Sequence, residues 1–228
     1  KYGLKTPKGF LLTGPPGTGK TALARALAEE SGCQFVATTG SAFVNQYVGM
    51  GAENVRRIFD EARQKSEGSD KPTILFIDEI DAIGSRGGND GGEGRKTIIE
   101  LLGQIDGFSK DNSVIVIGAT NDAASLDAAL KRPGRLDMIL EIGLPDAAKR
   151  EAILKLYLKD KPLSRDVNAN TIANKTSGAS AADLKALVDI AANIARKAKA
   201  NINASNFDKA LDVMLDRDKN KNANFVKN

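Results

Sequence analysis

The sequence predicts an α/β chain: a doubly wound, parallel five-stranded sheet followed by a smaller helical unit. Three observations carry this expectation. Short apolar runs alternate with longer helical patterns through the first part of the chain. A glycine-rich stretch, Gly14 to Gly19, separates the first apolar run from the first helix. After Pro145 the strand signals stop and helical periodicity alone continues.

The elements follow in order. Gly9 to Thr13 reads as a strand, and Lys20 to about Glu30 as a helix with Leu23, Ala26 and Leu27 on one face. Phe35-Val36-Ala37 is a second strand. Ala52 to Lys65 is a helix, with Val55, Ile58, Phe59 and Ala62 at helical spacing. Ile74 to Ile77 is a continuous apolar run, the signature of a strand buried on both faces. Thr97 to Ile105 is helical, Val114 to Gly118 is the fourth strand and Met138 to Ile142 the fifth. Ala147 to Lys159, Ala181 to Ala200 and Ser205 to Arg217 read as helices, with Ser205 and Asp208 fitting an N-terminal cap and an acidic first turn. The expected organisation is therefore an α/β domain over 1–144, a helical lid over 145–218, and a Lys/Asn-rich tail over 219–228 that frays. The glycine-rich stretch Ser85 to Gly94 reads as mobile.

Composition narrows the chemistry. The chain has 228 residues, and 33 basic against 29 acidic side chains leave a net charge of +4, too mild to mark a nucleic-acid binder. There is no Trp, and no basic run is interleaved with aromatics. Cys33 stands alone, so no intrachain disulfide forms and a reducing compartment is expected. No histidine is present, which excludes a His base, a Ser-His-Asp triad and a His-bearing zinc site within this chain. No run approaches the roughly 20 apolar residues that span a bilayer. Lys1-Tyr2-Gly3-Leu4 does not read as a natural start, so a fragment is expected.

Gly14-Pro15-Pro16-Gly17-Thr18-Gly19-Lys20-Thr21 fits G-x-x-x-x-G-K-[ST] between a strand and a helix. Glycines let backbone N–H groups turn inward around phosphate oxygens, and the following helix points its positive end at them. Lys20 is assigned to the outer phosphates and the Thr21 hydroxyl to Mg²⁺, with Ala22 completing the binding stretch. Asp78 and Glu79 end the apolar strand, so Asp78 is assigned to the metal and Glu79 to the attacking water. Asp81 reads as structural. Asn121, after the fourth strand, suits contact with the γ-phosphate and the water, although a turn-forming Asn reads equally well. Arg132 and Arg135 flank Pro133-Gly134; they suit phosphate charge stabilisation, or stand as two solvated surface arginines.

Joined in this order, Gly14–Thr21, Ile74–Asp81, Ala119-Thr120-Asn121 and Arg132-Pro133-Gly134-Arg135-Leu136-Asp137 resemble the AAA subfamily of AAA+ P-loop ATPases, from Pro7 to about Leu215. The resemblance implies Walker A, Walker B, sensor 1 and arginine fingers, with Arg132 and Arg135 acting on a neighbouring subunit's ATP. It also implies a hexameric ring, of one chain type or several. Among members, the chain looks most like the FtsH-type membrane metalloproteases, with proteasomal regulatory ATPases next. Phe43 to Ala52 resembles their pore loop, so Tyr47-Val48-Gly49 would grip a polypeptide substrate; a Tyr packed in the core is the alternative. Asp106-Gly107-Phe108 resembles their inter-subunit signalling turn, and Ser85–Gly94 the second pore loop or a flexible linker.

Departures accompany the likeness. The segment that usually precedes Lys1 is absent, Tyr157 stands where many members have His, Asp122 replaces the usual Arg, and Ala181 replaces a Gly near the nucleotide. No His-Glu-x-x-His motif exists, so a peptidase and a membrane anchor, where the parent has them, lie outside this chain or were lost. The expected activity is Mg-ATP hydrolysis driving protein unfolding. The alternatives are an ATPase remodelling complexes or nucleic acid without a peptidase, and a nucleotide-binding scaffold without turnover; the aromatic pore loop argues against nucleic acid.

Overall fold

A computed structural model of the chain describes residues 9–43, 50–83, 92–107 and 113–225. Tyr47, Val48 and Gly49, Phe108, and most of the Ser85–Gly94 stretch lie outside the described residues. The chain divides into two units, one comprising Lys1–Pro15 and Gly19–Ile142, the other Pro16–Thr18 and Gly143–Asn228.

The first unit is built on β1 (Gly9–Thr13), β2 (Gln34–Thr39), β3 (Thr73–Asp78), β4 (Val114–Thr120) and β5 (Met138–Glu141). All neighbours pair parallel, in the order β2-β3-β4-β1-β5. Period-two alternation sends Leu75 and Ile77 of β3 to one face and Ile74 and Phe76 to the other. On the first face they meet Val55, Phe59 and Ala62 of α2 (Met50–Ser66) and Leu101 and Ile105 of α3 (Glu93–Gly107). On the second they meet Ala24 and Ala28 of α1 (Lys20–Ser31). A strand clothed on both sides has no polar face, which is why Ile74–Ile77 is uninterrupted.

The face of α1 differs from the expectation. Lys20, Ala24 and Ala28 point inward at i, i+4 spacing, whereas Leu23 and Leu27 are about half exposed. The reason is mechanical: the loop before α1 turns Lys20 inward, and residues one turn apart follow it. Small alanines then let the helix lie close on the sheet. Glu93 and Gly94, expected in the glycine-rich stretch, open α3 instead.

The helical unit contains α4 (Ala147–Leu158), α5 (Ala169–Lys175), α6 (Ala181–Lys197) and α7 (Ala204–Phe225). Leu154, Ile172, Leu184, Leu187, Val188 and Phe207 form its core. The short α5 has too few turns to show a periodic pattern; Asn168 caps it, accepting from the N–H groups of Asn170 and Thr171. One expectation needs correction. Ser205 is not the cap of the last helix: Asn203 accepts from Asn206 N–H at 3.0 Å, and Asn206 returns the contact to Asn203 N–H at 2.9 Å. The last helix is Ala204–Phe225. Arg150 is buried, its guanidinium donating to the carbonyls of Pro145 and Ala173. Among the described residues no helix is long and apolar enough to cross a membrane.

Candidate functional site

Strand order puts the first strand inside the sheet, flanked by β4 and β5. The loops leaving the carboxyl ends of β1, β3 and β4 therefore open side by side, where an open α/β sheet offers a ligand crevice. Register fixes their level: Thr13 lies opposite Thr120, and Ile77 opposite Gly118. Gly14, Asp78 and Asn121 each stand just beyond these pairs.

The loop after β1 turns through Gly14, Gly17 and Gly19, with φ of 138°, 75° and 95°. Gly19 is the N-cap of α1, and no side chain caps the helix there. The first-turn N–H groups are thus left for an external anion. Lys20 is buried, and its ammonium donates to Gly14 O (2.8 Å), Pro15 O (3.0 Å) and Asn121 Oδ1 (2.7 Å). Burial pulls its pKa below the ordinary lysine value, while the nearby Asp78 charge acts in the opposite sense. Lys20 and Asn121, 101 positions apart, are therefore one cluster.

A second cluster adjoins it. Thr21 Oγ1 donates to Asp78 Oδ2 at 2.8 Å, and Glu79 N–H donates to Asp78 Oδ1 at 3.0 Å. A hydroxyl beside one carboxylate is a hard-oxygen donor set. It suits Mg²⁺, which takes one or two protein oxygens and completes its shell with water and phosphate. No cluster of three metal-ligating side chains exists among the described residues. Glu79 is exposed and has φ 48°, a left-handed conformation that costs a non-glycine residue about 1–3 kcal/mol. Thr120 Oγ1 donates to Asp81 at 2.6 Å, tying the end of β4 to the turn after β3, a structural role.

The two arginines differ. Arg132 N-terminal to the turn is exposed and makes no ion pair among the described residues. Arg135 makes a forked contact to both carboxylate oxygens of Asp106 and donates to Ala129 O at 2.7 Å. A turn joins them: Arg135 N–H donates to Arg132 O, with Pro133 and the positive-φ Gly134 in the middle, as a type II turn requires. No hydrogen bond or ion pair among the described residues links either arginine to Lys20, Asp78 or Glu79. Ala181 is the first residue of α6, whose N-cap Ser180 forms a reciprocal box with Asp183. Sequence reasoning did not assign Asp106 to Arg135; 29 positions apart, the two carry no periodic signal.

The glycine-rich loop after β1, a Thr–Asp oxygen pair and an Asn at the next strand end thus lie together. The family model described as "ATPase family associated with various cellular activities (AAA)" matches residues 10–144. The chain belongs to the AAA family of ATPases. It is 46% identical over 222 residues to the ATP-dependent zinc metalloprotease FtsH of Streptococcus pneumoniae serotype 4, covering 94% of this chain and 33% of that protein. The Bacillus subtilis FtsH is 46% identical over 220 residues, with 94% and 34% covered. The chloroplastic FTSH 6 of Arabidopsis thaliana is 46% identical over 220 residues, with 93% and 31% covered. This AAA ATPase thus spans roughly a third of the length of the curated relatives it matches.

Proposed function

We propose that this ATPase binds Mg-ATP at the β1, β3 and β4 strand ends and hydrolyses it as the motor of an ATP-dependent protease. The observation that carries the reading is the Lys20 amine, which spans the loop after β1 and the Asn121 side chain after β4. An amine held there meets the outer phosphates of a nucleotide cradled by Gly14–Ala22. Thr21 and Asp78 would hold Mg²⁺, which neutralises phosphate charge when bound. Glu79 orients the attacking water toward the γ-phosphorus, and Asn121 fixes the same water and a phosphate oxygen. Lys20 and the uncapped α1 N-terminus stabilise the charge that develops on the equatorial oxygens.

The remaining charge stabilisation comes from a neighbouring subunit of a hexameric ring. Arg132, exposed at its turn, reaches the neighbour's phosphate, and Arg135 shapes that turn through Asp106. Tyr47, Val48 and Gly49 are assigned on sequence to the loop that grips an unfolded polypeptide. The relatives are named zinc metalloproteases, and with no histidine in this chain the zinc site would belong to a further part of the protein. The working location is a reducing compartment.

The test is ATP turnover per chain against protein concentration with Mg²⁺ present, beside the Glu79→Gln variant. Specific activity rising with concentration, and a variant that retains bound ATP, support the reading. Substantial turnover by a monomer, unchanged by Glu79→Gln, overturns it.

A further inference from the structure

Gly40 follows Thr39, the last residue of β2, which lies opposite Asp78 in the sheet. It is buried and opens a short 3₁₀ turn, Gly40–Phe43. Across from it a second 3₁₀ turn, Ile80–Ile83, begins immediately after Glu79. A Cβ on Gly40 would lie 2.2 Å from the carbonyl oxygen of Glu79, 3.0 Å from its carbonyl carbon and 3.3 Å from Ala82 Cβ. The first two obstacles are backbone, so no rotamer change removes them.

Glu79 is held by its main chain at three points. Its N–H donates to Asp78 Oδ1, its carbonyl accepts from Ala82 N–H at 2.9 Å, and the same carbonyl rests against the bare Cα of Gly40. These contacts keep the residue at φ 48° and so set the direction in which its carboxylate leaves the strand end. Displacing the carbonyl turns the peptide plane and redirects the side chain.

We propose that Gly40 is a positioning residue for hydrolysis: its missing side chain fixes the Glu79 backbone, and through it the Glu79 carboxylate, without touching the nucleotide. The proposal rests on the reading of Glu79 as the water-orienting group. Strand order separates its effect from binding. β3 and β4 lie between β2 and β1, so Gly40 stands roughly 14 Å of sheet from the phosphate-binding loop.

The test measures the Kd for a fluorescent ATP analogue and the steady-state kcat and KM, at a concentration where the parent chain turns over. Four variants are compared: Gly40→Ala, Glu79→Gln, their combination, and Gly103→Ala, a control in α3 where an added Cβ meets nothing within 4 Å. Gly40→Ala should keep its Kd and lose about 10- to 100-fold in kcat, the scale of a misplacement near 1 Å. In the Glu79→Gln background it should remove nothing further. A folded Gly40→Ala protein with parental kcat overturns the proposal, as does a Kd that rises in step with the fall in kcat, or an equal loss in both backgrounds. Glu79→Gln with parental turnover instead removes the reading of Glu79 itself. Where Gly40→Ala does not fold, Ala82→Val presses on the same turn from its other side and should show the same kcat loss with intact Kd; parental kcat there overturns the proposal.

Discussion

The guanidinium of Arg135 and the carboxylate of Asp106 meet as a two-point fork, at 2.9 and 2.7 Å. Arg135 is largely covered and Asp106 about half exposed, so solvent screens the pair and its worth is under about 1 kcal/mol. The hydrogen bonds from Arg135 hold the Asp106 carboxyl below the usual carboxylate range. The folded-state pKa is thus depressed. The stabilisation is present above the unfolded pKa of about 3.9 and is lost as pH falls through the folded value. Asp106→Asn should lower the melting temperature slightly at neutral pH, and the gap to the parent should close in acid. A thermal melt series across pH checks this.

Arg132 and Arg135 should separate in function. Arg132→Ala should leave the melting temperature unchanged and lower ATP turnover by about 10²-fold or more, as loss of a trans-acting arginine does. Arg135→Lys keeps the charge and loses the fork, so it should lower both the melting temperature and turnover. Turnover assays paired with calorimetry distinguish the two.

Lys20 holds a charge in a buried place, and its pKa is lowered by that burial. Its folded form releases the proton more readily than the unfolded chain does, so this group contributes relatively more stability as pH rises through its folded pKa. Lys20→Met removes the desolvated charge. The nucleotide-free protein should melt within a few degrees of the parent, while the stabilisation that saturating ATP confers disappears. Differential scanning fluorimetry with and without ATP reads both effects.

The helical unit offers a contrast between two caps. Asn203→Ala should destabilise it by about 1 kcal/mol, because the side-chain acceptor for Asn206 N–H vanishes while the return contact from Asn203 N–H to Asn206 Oδ1 can remain, whereas Ser205→Ala, inside the helix, should cost much less. Arg150→Met leaves two buried carbonyls without their charged donor and should cost about 2–3 kcal/mol. Denaturant unfolding followed by far-UV circular dichroism measures all three.

What the sequence made legible follows from period and punctuation. The β3 run, the glycine-rich loop and the residues after each strand could be read because buried parallel strands and phosphate loops leave contiguous signatures. The inward face of α1 could not be read. Leucines outrank alanines in any hydrophobic pattern, yet Lys20 fixes the rotation and Ala24 and Ala28 win the sheet. The seven-residue α5 is too short for a period to register. Asn203 was masked by the nearby Ser205, since cap preference is nearly equal for the two types. The Arg135–Asp106 fork and the approach of Gly40 to Glu79 join segments remote in sequence, and only the assembled sheet brings them together.

Gly14, Asp78 and Asn121 stand at neighbouring strand ends, so the gauge between them is the repeat of the sheet, about 4.8 Å per strand. Loop length does not enter that gauge. The register of the paired strands, and not the length of chain between them, sets the separation of Gly14, Asp78 and Asn121. Evolution or an engineer can therefore vary the connections between strands while the spacing of the proposed site is inherited intact. A slip of a single residue in β3 would do the reverse, turning Asp78 to the opposite face and dismantling the proposed site with every connection unchanged.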